Sequence, residues 1–220
     1  MRLTHRRTKV DTVADVTWSA VEVVAGSRPE GDGMSDVHES EEWKVLGFRP
    51  VYDSKWIKLE MAEVKLPSGQ HFEHHTVTMP AAAMAVVLSD DGKQVLLSWR
   101  HRFVPAVWNY ELPGGLIEEG EPPEATVRRE ITEETGYRPK HVKHLVTFEP
   151  MIGMVSSPHH LFVAQGVEWV GEPTELDEGT FEWVPMKDVP ELIKAGKISN
   201  SGTLVALLHV LALGGLEDSK

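Results

Sequence analysis

Apolar and polar positions alternate with period two along much of the chain. Trp43 to Tyr52 and Trp56 to Leu66 read as strands separated by Asp53-Ser54. Pro67-Ser68-Gly69 is a turn, and His71 to Thr78 a third strand. Met84 to Leu88 and Gln94 to Trp99 flank Ser89-Asp90-Asp91-Gly92, which predicts a β-hairpin. Val142 to Glu149, His160 to Gln165 and Phe181 to Met186 are further strands. Helical spacing replaces alternation elsewhere. Pro122-Pro123 suit a first helical turn and Gly136 the left-handed position just past a helix end. Lys187 to Lys197 reads as a helix that must start near Pro190. Asn200-Ser201 caps a last helix, Thr203 to Leu213, which is apolar on most faces and so buried. Strands interspersed with a few helices predict an α/β (α+β) fold, an α/β/α sandwich with a mixed sheet.

Residues 1–42 read differently. A basic start, a weakly apolar stretch, a breaker-rich run and an acidic segment suggest a disordered or loosely tethered leader, with Met34 as an alternative natural start. Residues 43–79 form an N-terminal antiparallel β-region, residues 80–215 the main domain and 216–220 a polar tail.

Composition narrows the function. The chain has 220 residues, enough for a real core, and a net charge of −12, which argues against a nucleic-acid partner. It has no cysteines, so thiolate chemistry is excluded. No apolar run is long enough to span a membrane, and the cytoplasm is the expected location.

The chemistry concentrates in Gly115 to Tyr137, GLIEEGEPPEATVRREITEETGY. At about 100° per residue, Glu130, Glu133 and Glu134 share one arc of the helix. Three close carboxylates repel unless a cation sits among them, and hard oxygen donors suit Mg²⁺ or Mn²⁺. Arg129 lies beside Glu133 and can pin a carboxylate with its planar fork. The turn at Gly114-Gly115 lets a backbone carbonyl approach the same place. Seven specified Gly, Glu and Arg positions, each at about 5–7% average usage, make a chance match rarer than about one in 10⁸.

This stretch resembles the Nudix box, GX5EX7REUXEEXGU with U a bulky apolar residue. Gly115, Glu121, Arg129, Glu130, Ile131, Glu133, Glu134 and Gly136 match, whereas Tyr137 stands where an aliphatic residue is commoner. The resemblance implies metal-dependent hydrolysis of a nucleoside diphosphate linked to another moiety. It implies Glu130, Glu133 and Glu134 as metal ligands, Gly114 as a carbonyl ligand and Arg129 as the residue that orients a glutamate. The run leading into the box, with Arg100 and Arg102, resembles nucleoside-diphosphate-sugar hydrolases. That makes both arginines candidates for substrate binding, although Arg100 reads equally well as exposed strand-end charge. Trp108 and Tyr110 could stack on a base or pack in the core.

The layout of the β-region resembles bacterial ADP-ribose pyrophosphatases, in which such a region builds a homodimer. Those enzymes carry a catalytic glutamate in the loop that corresponds to Pro150–Pro158. This loop has no acid, so Glu149 at its edge or Glu133 is the candidate base. Met151, Ile152 and Met154 read equally as pocket wall or as loop packed on the core. His74 and His75 alternate onto opposite strand faces, and His159-His160 reads as a strand-edge pair. The expected function is Mg²⁺-dependent cleavage of ADP-ribose or a related nucleotide sugar into two monophosphates. The alternatives are a (d)NTP pyrophosphatase and a Nudix-fold sensor that binds without cleaving.

Overall fold

Short side chains on one central strand organise the fold. In the computed structural model, which describes residues 42–175 and 179–215, strand β4 is Ala82–Val87. Its two faces are both covered. Ala83, Ala85 and Val87 pack with Val127 and Ile131 of helix α1 (Pro123–Thr135). Val86 packs in a second cluster with Ala206 and Leu207 of helix α3 (Ser201–Leu213). Each buried Val or Ile contributes about 1.5–3 kcal/mol of transfer free energy.

Helix α1 has the ends that its prolines and glycine predict. Pro122 is its extended N-cap, and Gly136 closes it at φ 73° with its N–H on the Thr132 carbonyl at 3.0 Å. A Cβ at Gly136 would also collide with the Gly171 carbonyl. Helix α3 is capped as expected, the Thr203 N–H donating to Asn200 Oδ1 at 3.0 Å. A short helix, α2 (Val189–Lys194), carries Pro190 in its first turn.

The strands form three sheets. The first joins β1 (Lys44–Asp53), β2 (Lys58–Lys65), β3 (His71–Thr78) and β9 (Val155–Ser156) in that order. The second runs β7 (Gly114–Leu116), β4, β10 (His159–Trp169), β8 (Tyr137–Phe148). Here β10 lies parallel to β4 and antiparallel to β8, so the sheet is mixed. The third runs β11 (Thr180–Pro185), β5 (Gln94–Arg102), β6 (Val107–Glu111). Helices on both faces of the mixed sheet make the expected α/β/α sandwich.

Two sequence expectations change. The Ser89–Gly92 turn forms, with the Gly92 N–H on the Ser89 carbonyl at 2.9 Å, but its flanking strands do not make a ladder. A single antiparallel bridge, Leu88 to Val95, joins them before they part into different sheets. Strand β4 is buried on both faces and takes β7 and β10 as neighbours, which leaves no edge for β5. Strand β8 also begins directly after the helix-ending glycine, five residues earlier than Val142. The leader lies outside the described residues except for Glu42, and the polar tail 216–220 lies outside them altogether. No described helix is long and apolar enough to cross a membrane.

Candidate active site

Helix α1 places the acids. Val127 and Ile131 bury its inner face, which fixes Glu130 and Glu134, one turn apart, on the edge beside β7. The Gly114 N–H donates to Glu134 Oε2 at 2.9 Å. A methyl at Gly115 would overlap the Glu130 carboxylate, so this turn must be glycine for the acid to keep its place.

Arg129 ties the carboxylates together. Its Nη1 donates to Glu130 Oε1 at 2.9 Å and to Glu133 Oε2 at 3.0 Å. Its Nε and Nη2 donate to the two oxygens of Glu121, both at 3.1 Å. The Arg129 bonds, aided by the Thr126 hydroxyl, hold the Glu121 carboxyl down to about 2. These ion pairs in turn raise the Arg129 pKa.

A third acid comes from elsewhere. The N–H groups of Thr174 and Glu175 donate to the Glu133 carbonyl at 2.8 and 3.3 Å, pinning their loop to the last turn of α1. Carboxylate oxygens of Glu130, Glu134 and Glu175 then lie within 4.8 Å of one another. Burial pushes the Glu134 carboxyl up to about 7, against the Gly114 N–H and Arg100, which favour the charged form. Burial also raises Glu130, against the pull of Arg129. Arg100 Nη1 stands 3.7 Å from Glu134 Oε1, with the side chain almost fully buried. Carboxylates that are crowded and desolvated in this way would be stabilised by a divalent cation. The all-oxygen donor set fits Mg²⁺ or Mn²⁺ better than a soft metal.

Arg100, Gly114, Arg129, Glu130, Glu134 and Glu175 line a cleft of about 970 Å³. Lys55, Trp56, Met84, Leu116, Glu118 and His159 complete much of its wall. Trp56 is set by a tight turn in which Ser54 Oγ accepts from the Trp56 and Ile57 N–H groups at 3.3 and 3.2 Å.

The expected residues separate into three groups. Glu130, Glu134, Gly114, Arg100, Arg102 and Arg129 meet in the cleft. Arg102 grips buried Glu111, with Nε at 3.0 and 3.1 Å and Nη2 at 2.6 Å from its oxygens. Glu133 stays on Arg129 and is not among the three converging carboxylates. Helical twist explains this. Glu133 leans about 60° from Glu130, toward Arg129 one turn back, and Glu134 lies on the opposite side. Glu149 and Trp108 lie outside the lining of the cleft. Glu149 Oε2 accepts the Ser157 N–H at 2.8 Å, which closes the 150–158 loop. Trp108 sits on the face of β6 opposite Asn109 and Glu111, stacked on Trp99 with centroids 6.0 Å apart.

Sequence reasoning passed over Glu175, Trp56 and His159. Glu175 had a faint signal, the acidic run Glu172 to Glu178, which reads as a solvated loop. In sequence Trp56 reads as the start of a strand, and His159 as one of a strand-edge pair.

The sequence model described as the NUDIX domain matches residues 79–204. A "CMP-5′-(N-acetyl-N-hydroxy-3-aminopropyl)phosphonate hydrolase" of Streptomyces rubellomurinus is 47% identical over 174 residues, covering 79% of this chain and 84% of that protein. An ADP-ribose pyrophosphatase of Bacillus subtilis is 28% identical over 83% of this chain and 100% of its own. A solved structure described as an ADP compounds hydrolase superposes with a TM-score of 0.69 at 19% identity, covering 78% of this chain and 93% of that one. The chain belongs to the Nudix family and is a hydrolase of that family.

The close approach at Gly115 gives a direct test of the acid cluster. Gly115→Ala should displace the Glu130 carboxylate, the flexible end of the contact, and leave the fold intact. Mn²⁺ titration followed by EPR should show affinity weakened by roughly 10–100-fold. The melting temperature should move by less than about 3 °C. Wild-type Mn²⁺ affinity in this variant would contradict the placement of Glu130.

Proposed function

We propose that this chain hydrolyses the phosphorus anhydride joining a nucleoside 5′-monophosphate to a second phosphoryl or phosphonyl moiety. The observation that carries the reading is one cleft in which Glu130, Glu134 and Glu175 stand beside Arg100 and Arg102. The names of the relatives support the same class. One acts on a CMP-linked phosphonate, and ADP-ribose pyrophosphatases of Bacillus subtilis and Mycobacterium tuberculosis are 28% and 29% identical.

Water oxygen bonds to one phosphorus while the bond from that phosphorus to the bridging oxygen breaks. The bridging oxygen leaves with the other phosphate or phosphonate, and one proton of water is released. Arg100 and Arg102 bind the anhydride oxygens and hold them against the carboxylates. Glu133, the more exposed acid of the helix and not one of the three converging carboxylates, is the candidate to take the proton. Glu130, Glu134 and Glu175 would hold Mg²⁺ or Mn²⁺, with the Gly114 carbonyl as a further donor. A cation there offsets phosphate charge and makes water more acidic.

Turnover with Mg²⁺ should be measured on ADP-ribose, a CMP-phosphonate conjugate, UDP-glucose and the dNTPs. Two monophosphate-type products from a conjugate are expected. Glu134→Gln should lower kcat/KM by roughly 10²–10³-fold or more, with circular dichroism unchanged. Pyrophosphate release from dNTPs alone, or full activity in Glu134→Gln, would reject the reading.

The same reading makes the first sheet a contact between two copies. Strand β1 is an edge strand, and Trp43, Val45, Leu46, Phe48, Val51 and Tyr52 are each half exposed or more in the single chain. An apolar edge of that kind favours a partner. In sedimentation, the wild type should run at about twice the 24.5 kDa of one chain, and Phe48→Glu as a single chain. A monomeric wild type would overturn the dimer.

A further inference from the structure

His159 opens β10, and its parallel register pairs it with Ala82 of β4. Ala82 faces Leu116 of β7 in turn. All three line the cleft. The acid cluster lies at the other side of this floor, where Gly114 at the start of β7 bonds to Glu134. Neighbouring strands are about 4.8 Å apart, so the base of His159 stands roughly 10 Å from β7. His159 therefore lines the cleft two strands away from Gly114, on the side left for the moiety attached to a diphosphate seated on the carboxylates.

The surroundings define what this ring can do. Its Nδ1 is buried and has no hydrogen-bond partner among the described residues. A buried N–H without an acceptor is less tolerable than a buried lone pair without a donor, so the proton belongs on Nε2. Burial lowers the pKa of the ring and so favours the neutral form, although the Glu149 carboxylate pulls the other way. Phe148 packs edge-on against the ring, with centroids 5.4 Å apart and planes at 87°, and helps to fix its orientation. The adjacent His160 differs. Its Nδ1 lies 2.9 Å from the Thr147 hydroxyl. His159 therefore brings a neutral, oriented donor to the cleft wall, and the hydrolytic chemistry does not use it.

We propose that His159 is a specificity-determining residue, its Nε2–H donating to an oxygen of the moiety attached to the nucleotide anhydride. The class of substrate that satisfies it carries a hydroxyl, carbonyl or ring-ether oxygen on that moiety. A bare alkyl ester of the same diphosphate does not. This inference rests on the hydrolase reading above and adds to it the part of the substrate that selects.

The test compares ADP-ribose with the β-methyl ester of ADP, which has the anhydride and no acceptor-bearing moiety. The ratio of their kcat/KM values is measured for wild type, His159→Phe and His159→Gln at saturating Mg²⁺. In His159→Phe the ratio should fall about tenfold, through KM for ADP-ribose. His159→Gln keeps a donor and should recover part of it. A merely structural role would harm both substrates alike and lower the melting temperature. An unchanged ratio in His159→Phe overturns the proposal. If the wild type cleaves neither substrate, the hydrolase reading fails separately and the ring is read directly. Long-range ¹H–¹⁵N spectra, assigned by the signal missing in His159→Phe, should show Nε2 protonated and shifting with ADP-ribose but not with AMP. A stationary signal under ADP-ribose overturns the proposal as well.

Discussion

The site depends on holding several carboxylates close together at one end of a helix. Arg129 is the interaction that achieves this. One guanidinium donates to Glu121, Glu130 and Glu133, so that its planar fork serves as the centre of a ring of acids. Its hydrogen bonds are charge-assisted and partly buried, which makes them stronger than fully exposed pairs. Lysine would supply a charge but not that geometry. With Glu121 and Glu133 drawn to one side by Arg129, Glu130 and Glu134 remain beside β7, and Gly114 and Arg100 offset part of the desolvation of Glu134.

The backbone supplies the second constraint. Helix α1 can lie close to the sheet because β4 offers it Ala83 and Ala85, with no large side chain between. The turn into β7 can approach the helix edge because Gly114 and Gly115 have no side chain to collide with Met84 or Glu130. The last acid is delivered by a loop whose amides bind the carbonyl end of the same helix. Each contribution comes from a different element, yet all are referred to the one helix. Two of the three converging carboxylates, and the buried face that positions them, are therefore carried by the same 13-residue helix.

That concentration explains what could be read from the sequence. Pro123, Gly136, Val127 and Ile131 are local signals, and they placed the helix and its buried face correctly. Spacing puts Glu130, Glu133 and Glu134 on one arc of the helix, whereas in the structure Glu130 and Glu134 converge and Glu133 turns to Arg129. What failed to show was non-local. The Ser89–Gly92 turn is legible, but which neighbours Ala82–Val87 would choose depends on burial of both its faces. Glu175 lies 41 residues beyond Glu134 in an acidic run that looks solvated, and hydrogen bonds to the Glu133 carbonyl bring it back. His159 and His160 are indistinguishable as letters, and a register against Ala82 separates them. Trp108 illustrates the same limit in reverse. Its type suggested stacking on a substrate, and pleating turned it toward Trp99.

The central claim is that Glu130 and Glu134, joined by Glu175, form a cation site built before substrate arrives. The most direct measurement is a crystal structure grown with Mn²⁺ and no nucleotide, with data collected for anomalous scattering. A single strong peak in contact with the carboxylates of Glu130, Glu134 and Glu175 is the predicted result. No peak there, or a peak held by Glu133 and Glu121 after Arg129 has swung away, would contradict it.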